Sequence, residues 1–169
     1  MLNLQPDYLV KGSILKLSIQ ALLSDGIRGL ILDLDNTIMK PKAALFEADI
    51  LEWLAEAKRA GLKMIIVTNN KNEQYLSSFD KALAELDLPM IIKAKKPRRT
   101  KLNEALKILD LPAEQVCVIG DRVLTDVWGG NRIKCKTAFV SPLLGKEEIL
   151  LFRFLRKIEK LFLHPSHWD

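Results

Sequence analysis

Cysteine is scarce in this 169-residue chain: Cys117 and Cys135 are too few for a disulfide framework. Cys117 sits in an apolar run that suits a buried, reduced thiol. Histidine is as rare. His164 and His167 both lie in the tail, far along the chain from any cluster of acids, which argues against a zinc centre. No run of 18 apolar residues occurs, so no segment is expected to span a bilayer as a helix. The opening MLNLQPDYLVKG has no basic stretch followed by a long apolar one, so no cleaved leader is expected and a cytoplasmic protein is. Gly-x-Gly-x-x-Gly and Walker-type phosphate loops are missing, which speaks against nucleotide-fuelled chemistry. A Gly-x-Ser-x-Gly nucleophile elbow is missing too.

What is present reads as one folded domain over residues 1–169. Hydrophobic residues make up 49% and charged residues 28%, which excludes a disordered or collagen-like chain. The net charge of +5 is local. Lys93, Lys95, Lys96, Arg98, Arg99 and Lys101 fall within nine residues that hold no acid, and the rest of the chain sums to −1. A single positive site is therefore expected rather than a general basic coat.

Apolar periodicity predicts five buried strands: Ile27–Leu34, Lys63–Val67, Met90–Ile92, Gln115–Ile119 and Thr137–Val140. Helices are predicted over Ser13–Leu23, Ile50–Ala60, Asn72–Leu86, Thr100–Leu109, from about Leu124, and over Glu147–Phe162. Residues 1–26 then form an N-terminal helical segment, and residues 146–163 a C-terminal amphipathic helix. Strands alternating with helices, apolar on both faces, predict an α/β fold: a three-layer, doubly wound parallel five-stranded sheet. In such sheets the site lies beyond the carboxyl ends of the strands. Asp33–Thr37, Thr68-Asn69, Lys95-Lys96 and Gly120–Asp126 should converge there.

Asp33 and Asp35 stand two apart at a strand end, a spacing that can turn both into one cleft. Carboxylates so placed do not repay their desolvation by packing, whereas a divalent cation removes their repulsion. One could stay ionised as nucleophile or ligand while the other is at times protonated. Asp121 and Asp126 add a second acidic pair, and an oxygen-rich set of this kind favours Mg²⁺. Asp126 also suits capping of the helix that follows it. Thr68 and Asn69 can donate to phosphate oxygens, or simply cap the loop after their strand. One of Lys95 and Lys96 could neutralise charge as a phosphoryl group moves.

Asp33-Leu34-Asp35-Asn36-Thr37 resembles the first motif of the haloacid-dehalogenase-like phosphatases, Asp-x-Asp-x-Thr. Thr68 is similar to the second motif, Lys96-Pro97 to the third, and Gly120-Asp121-Arg122 through Thr125-Asp126 to the fourth. The resemblance implies a Rossmann-like core and a covalent mechanism. Asp33 would be the nucleophile and Asp35 the general acid and base. Thr68 and Lys96 would hold the phosphoryl group, with Lys96 also catalytic. Mg²⁺ would be bound by Asp33, Asp35 through its backbone carbonyl, Asp121 and Asp126.

Thirty residues separate Thr37 from Thr68, and 27 separate Thr68 from Lys96, too few in either gap for a cap domain. An open site suits a large or surface-bound phosphate ester. The string Gly120–Val127 followed by Gly130-Asn131 resembles the capless phosphatases that act on phosphatidylglycerophosphate, which implies an anionic phospholipid substrate. Lys93, Lys95, Arg98, Arg99 and Arg122 are then candidates for substrate or surface binding. Leu151, Leu155, Ile158 and Phe162, mixed with Arg153, Arg156, Lys157 and Lys160, suit a helix lying on a headgroup layer or packed on the core. A peripheral protein on the inner face of the membrane is expected. The basic cluster also suits a polynucleotide or nucleotide phosphatase, although no aromatic residue lies within it to stack bases. A noncatalytic binding protein on the same fold is the remaining alternative.

Overall fold

The computed structural model describes residues 3–41, 43 and 45–143. Its frame is a fully parallel sheet of β1 (Tyr8–Leu9), β2 (Gly29–Leu32), β3 (Lys63–Val67), β4 (Met90–Ile91), β5 (Val116–Gly120) and β6 (Lys136–Phe139). The spatial order is β1-β6-β5-β2-β3-β4. The chain enters the centre at β2, builds outward through β3 and β4, then returns to the other side of β2 with β5 and β6. The reversal falls between β2 and β5, where an open α/β sheet leaves a crevice at its carboxyl edge.

Residues of β2 and β5 are buried throughout, as a strand covered on both faces requires. Their side chains divide by alternation. Leu30, Leu32, Cys117 and Ile119 join one core with Ile50, Trp53 and Leu54 of α2 (Ala48–Arg59). Ile31, Val116 and Val118 join the other with Leu102, Ala105 and Leu109 of α5 (Arg99–Leu109). Helices thus cover both faces and three layers result. Among the described residues no separate cap domain is present.

The five expected strands are all found, and β1 makes a sixth. It pairs only at the sheet edge, Tyr8 opposite Ala138 and Leu9 opposite Phe139. Two half-buried residues give no alternating signal to read. The segment 1–26 therefore carries a strand as well as its helical turns, the 3₁₀ turn Ile14–Lys16 and α1 (Ile19–Ser24), whose cap Ser18 accepts from Ala21 N at 3.2 Å. The helix expected over Asn72–Leu86 is broken into α3 (Glu73–Ser77) and α4 (Asp80–Glu85). Ser77 and Ser78 hydroxyls donate to the Gln74 and Tyr75 carbonyls, the local competition by which serines interrupt a helix. The helix expected over 146–163 lies outside the described residues.

The helix expected from Leu124 starts as a π-turn, Val123–Val127, and continues as α6 (Trp128–Arg132). Gly130 lets this helix press against the sheet. A Cβ there would stand 2.5 Å from Thr137 Cγ2 and 3.0 Å from Val118 Cβ. Alanine would gain up to ~1 kcal/mol of helix propensity and lose about 1–3 kcal/mol to overpacking. Gly130→Ala is accordingly expected to lower the urea-unfolding free energy by on the order of 1 kcal/mol, with secondary structure retained by circular dichroism. A stabilised variant would contradict this packing.

Candidate active site

Adjacent strands β2 and β5 carry their acids to one point at the carboxyl edge. Asp33 follows β2, and its N–H donates to Ile119 O at 2.9 Å, which extends the ladder one residue past the strand. Asp121 follows β5, and Asp126 sits in the π-turn. One carboxylate oxygen from each of Asp33, Asp121 and Asp126 lies within 4.8 Å of the others, and all three residues are buried. Asp35 stands apart from this trio. Asn36, which follows it, takes a left-handed φ of 67° and donates from its N–H to Met39 O at 2.7 Å, so the chain turns tightly here. Asn70 Nδ2 donates to Asp35 Oδ2 at 3.1 Å.

Lys96 reaches the same point from the loop after β4. Its Nζ donates to Asp33 Oδ1 at 2.6 Å and stands 2.6 Å from Asp126 Oδ1. Both contacts are buried ion pairs. Burial raises the Asp33 carboxyl, Lys96 pulls it down, and Asp126 and Asp35 push it up again, which leaves it at about 6. Burial alone would lower the Lys96 ammonium, but Asp126 and Asp33 outweigh it and hold the group above its ordinary value. Lys96 is therefore a fixed positive charge.

These residues fit a hard divalent cation. Three carboxylates gather their oxygens within 4.8 Å of one another, with Lys96 in contact with two of them. Oxygen donors alone are what Mg²⁺ takes. The side chains of Asp33, Asp121 and Asp126 could hold it. Asp35 lies outside the carboxylate cluster.

A cleft of about 460 Å³ opens over the cluster, lined in part by Asp33, Asp35, Thr68, Asn69, Lys96 and Asp121. Thr68 Oγ1 accepts from Asn70 N at 3.0 Å, which leaves its hydroxyl proton for an acceptor in the cleft. The Asn69 amide is engaged with the main chain of Lys96, through Oδ1 to N at 2.7 Å and Nδ2 to O at 3.2 Å. Arg122 lines the cleft as well, together with Asn70 and Tyr75, whose place the sequence reading missed. Asn70 was visible only as a third polar residue after a strand.

The basic run divides in two. Lys96 is buried in the site, whereas Lys93, Lys95, Arg98 and Arg99 are exposed and outside the cleft lining. Lys93 pairs with Glu73.

Gly120 sets how closely Asp126 can approach β5. A Cβ on it would lie 2.3 Å from Asp126 Cγ and 2.5 Å from Asp126 Oδ2. Gly120→Ala must push that carboxylate out of the cluster. Calorimetric Mg²⁺ titration is expected to show affinity weakened about 10–100-fold, with the far-ultraviolet spectrum unchanged. Unaltered affinity would remove Asp126 from the ion's surroundings.

Comparison with known proteins agrees with this geometry. Residues 93–146 match the family model described as HAD-hydrolase-like. The chain is 36% identical over 158 residues to the "Probable phosphatase YqeG" of Bacillus subtilis (strain 168), covering 94% of this chain and 88% of that protein. It is 30% identical over 149 residues to the chloroplastic phosphatidylglycerophosphate phosphatase 1 of Chlamydomonas reinhardtii, covering 85% of this chain but only 55% of that longer protein. Among solved structures, a haloacid-dehalogenase-like hydrolase from Brucella suis 1330 superposes with a TM-score of 0.53 at 14% identity, over 73% of this chain and 91% of that one, a likeness of fold alone. The acid cluster and these likenesses together support a phosphatase activity, and the chain belongs to the haloacid-dehalogenase-like hydrolase family.

Proposed function

We propose that this protein is a Mg²⁺-dependent phosphomonoesterase that works through an aspartyl-phosphate, and that its substrate is phosphatidylglycerophosphate, cleaved to phosphatidylglycerol and phosphate. The observation that carries the reaction class is the buried cluster of Asp33, Asp121 and Asp126 bridged by Lys96 under an open cleft. Bound there, Mg²⁺ would neutralise the acids and draw charge from the phosphoryl oxygens.

The chain's own residues divide the remaining work. Lys96 favours the ionised form of Asp33, whose carboxylate attacks phosphorus as the ester P–O bond breaks. The departing alkoxide takes a proton from Asp35, held in place by Asn70. Asp35 then accepts a proton from water, which attacks the phosphorus of the aspartyl-phosphate and frees Asp33 and phosphate. Thr68 offers its hydroxyl proton to a phosphoryl oxygen, and Lys96 offsets the negative charge of the group in flight.

Three features support a lipid ester. One relative carries that activity in its name. The site lacks a cap among the described residues. Lys95, Arg98 and Arg99 add exposed positive charge, and Leu124, close in sequence to cleft-lining Arg122 and Thr125, is an exposed leucine. Among the described residues no helix is long and apolar enough to cross a membrane. The lipid substrate is the ground on which we propose that the protein acts from the membrane surface, on its inner face.

The expected result is Mg²⁺-dependent phosphate release from phosphatidylglycerophosphate vesicles, abolished by chelator. Asp33→Asn should lower it by at least about a thousandfold. Faster release from 5′-phosphorylated oligonucleotides would select a polynucleotide phosphatase instead. A folded, Mg²⁺-supplied protein inactive on lipid, nucleotide and aryl phosphates would leave a noncatalytic binding protein.

A further inference from the structure

We propose that Asn69 is the positioning residue that fixes the Lys96 ammonium between Asp33 and Asp126, its side-chain amide acting as an extra rung between β3 and the Lys96 loop. The catalytic consequence rests on the phosphatase reading above; the positional one does not.

The need for such a rung comes from the backbone. β4 has two residues, and its ladder with β3 ends at Val67 opposite Ile91. A few further bonds carry the loop on: Thr68 N to Ile91 O at 2.9 Å, Ala94 N to Thr68 O at 3.0 Å, and Lys93 N to Asn70 O at 3.0 Å. Lys93 and Lys95 then adopt left-handed φ values of 52° and 56°, so the chain winds and presents no regular strand edge. Lys96 would leave the ladder at this point with its own N–H and C=O to satisfy.

Asn69 supplies both partners from one planar amide. Oδ1 accepts from Lys96 N at 2.7 Å, and Nδ2 donates to Lys96 O at 3.2 Å. Two bonds to the same residue fix both where its Cα lies and how it is turned. Arg132 secures the next residue by donating from Nη1 to Pro97 O at 2.7 Å. An aspartate could accept but not donate, a threonine could not present the amide pair, and a glutamine would carry the amide one methylene too far. The Lys96 side chain must then span a defined path to its two carboxylates, each 2.6 Å from Nζ.

Asn69 also lines the cleft, and Nδ2 has a second proton, so direct contact with phosphate is the competing role. The two separate experimentally. In metal-free, ¹⁵N-lysine-labelled protein, the buried Lys96 ammonium should give a slowly exchanging ¹H–¹⁵N resonance, identified by its loss in Lys96→Met. Asn69→Ala is expected to shift or broaden that resonance while backbone amides remote from the site keep their positions. With p-nitrophenyl phosphate and Mg²⁺, Asn69→Ala should lower kcat about 10–100-fold and change KM by less than about threefold. In the Lys96→Met background the same substitution should change the residual rate by less than about threefold.

An unmoved ammonium resonance, or effects of Asn69→Ala and Lys96→Met that multiply, would overturn the proposal. A rise in KM without loss of kcat would assign Asn69 to phosphate instead. Should Asn69→Ala not fold, Asn69→Asp keeps the volume and the acceptor but removes the donor, and carries the same readouts. A wild-type protein inactive toward every phosphate ester would sink the phosphatase reading alone, since the metal-free resonance still decides what Asn69 does to Lys96.

Discussion

Three carboxylates with oxygens within 4.8 Å of one another do not remain ionised in a protein interior unaided, and the first group that lets them is the Lys96 ammonium. Its contacts with Asp33 and Asp126 join the loop after β4 to the ends of β2 and β5. A buried pair of this kind contributes little to stability once both ions have been desolvated. Its value lies elsewhere. Lys96 prevents Asp33 from rising further than about 6, against burial and two neighbouring acids, so a carboxylate is present to react. The ammonium contacts Asp33 and Asp126, and the gathered carboxylate oxygens suit a divalent cation.

The sheet order explains how groups so distant in sequence reach one point. Asp33 and Lys96 are 63 residues apart, yet only β3 separates β2 from β4. β5 returns beside β2 from the opposite direction, which brings Asp121 and Asp126 to the same edge. Gly130 and Gly120 admit the close approaches that follow, one of α6 to the sheet and the other of Asp126 to β5. The hydrophobic alternation of β2, β3 and β5 between two cores holds the strand ends rigidly enough for 2.6 Å contacts to persist.

Much of this was legible in the chain because strand ends are marked twice, by the close of an apolar run and by the acids or amides that follow. Lys63–Val67 was read to the residue, and the other four expected strands lie within two residues of their observed ends. Those marks fail where pairing is short or purely tertiary. Tyr8–Leu9 becomes a strand only because β6 is beside it, and α3 parts from α4 because two serine hydroxyls take helix carbonyls. The basic run shows the same limit. Six cations in nine residues look alike in sequence, but the fold buries Lys96, pairs Lys93 with Glu73, and leaves Lys95, Arg98 and Arg99 to solvent. Asn69 and Asn70 look equally alike, although one amide engages a lysine's main chain and the other an aspartate's side chain.

An uncapped cleft has a physical consequence for the substrate it can serve. Preorganised charges act most strongly where water is excluded, and a domain that closes over the site usually provides that exclusion. The described residues here supply no such domain, only a wall that includes Asn70, Tyr75 and Arg122. On the proposed function, the bulk that keeps water from Asp33 would come from the substrate or from the surface that bears it. A phosphomonoester on a lipid headgroup meets that requirement, because docking brings both the leaving group and a low-dielectric neighbour. A small soluble ester brings neither, so the same acids should turn it over slowly. On that proposal, rate depends on the size and setting of the ester more than on recognition of its atoms.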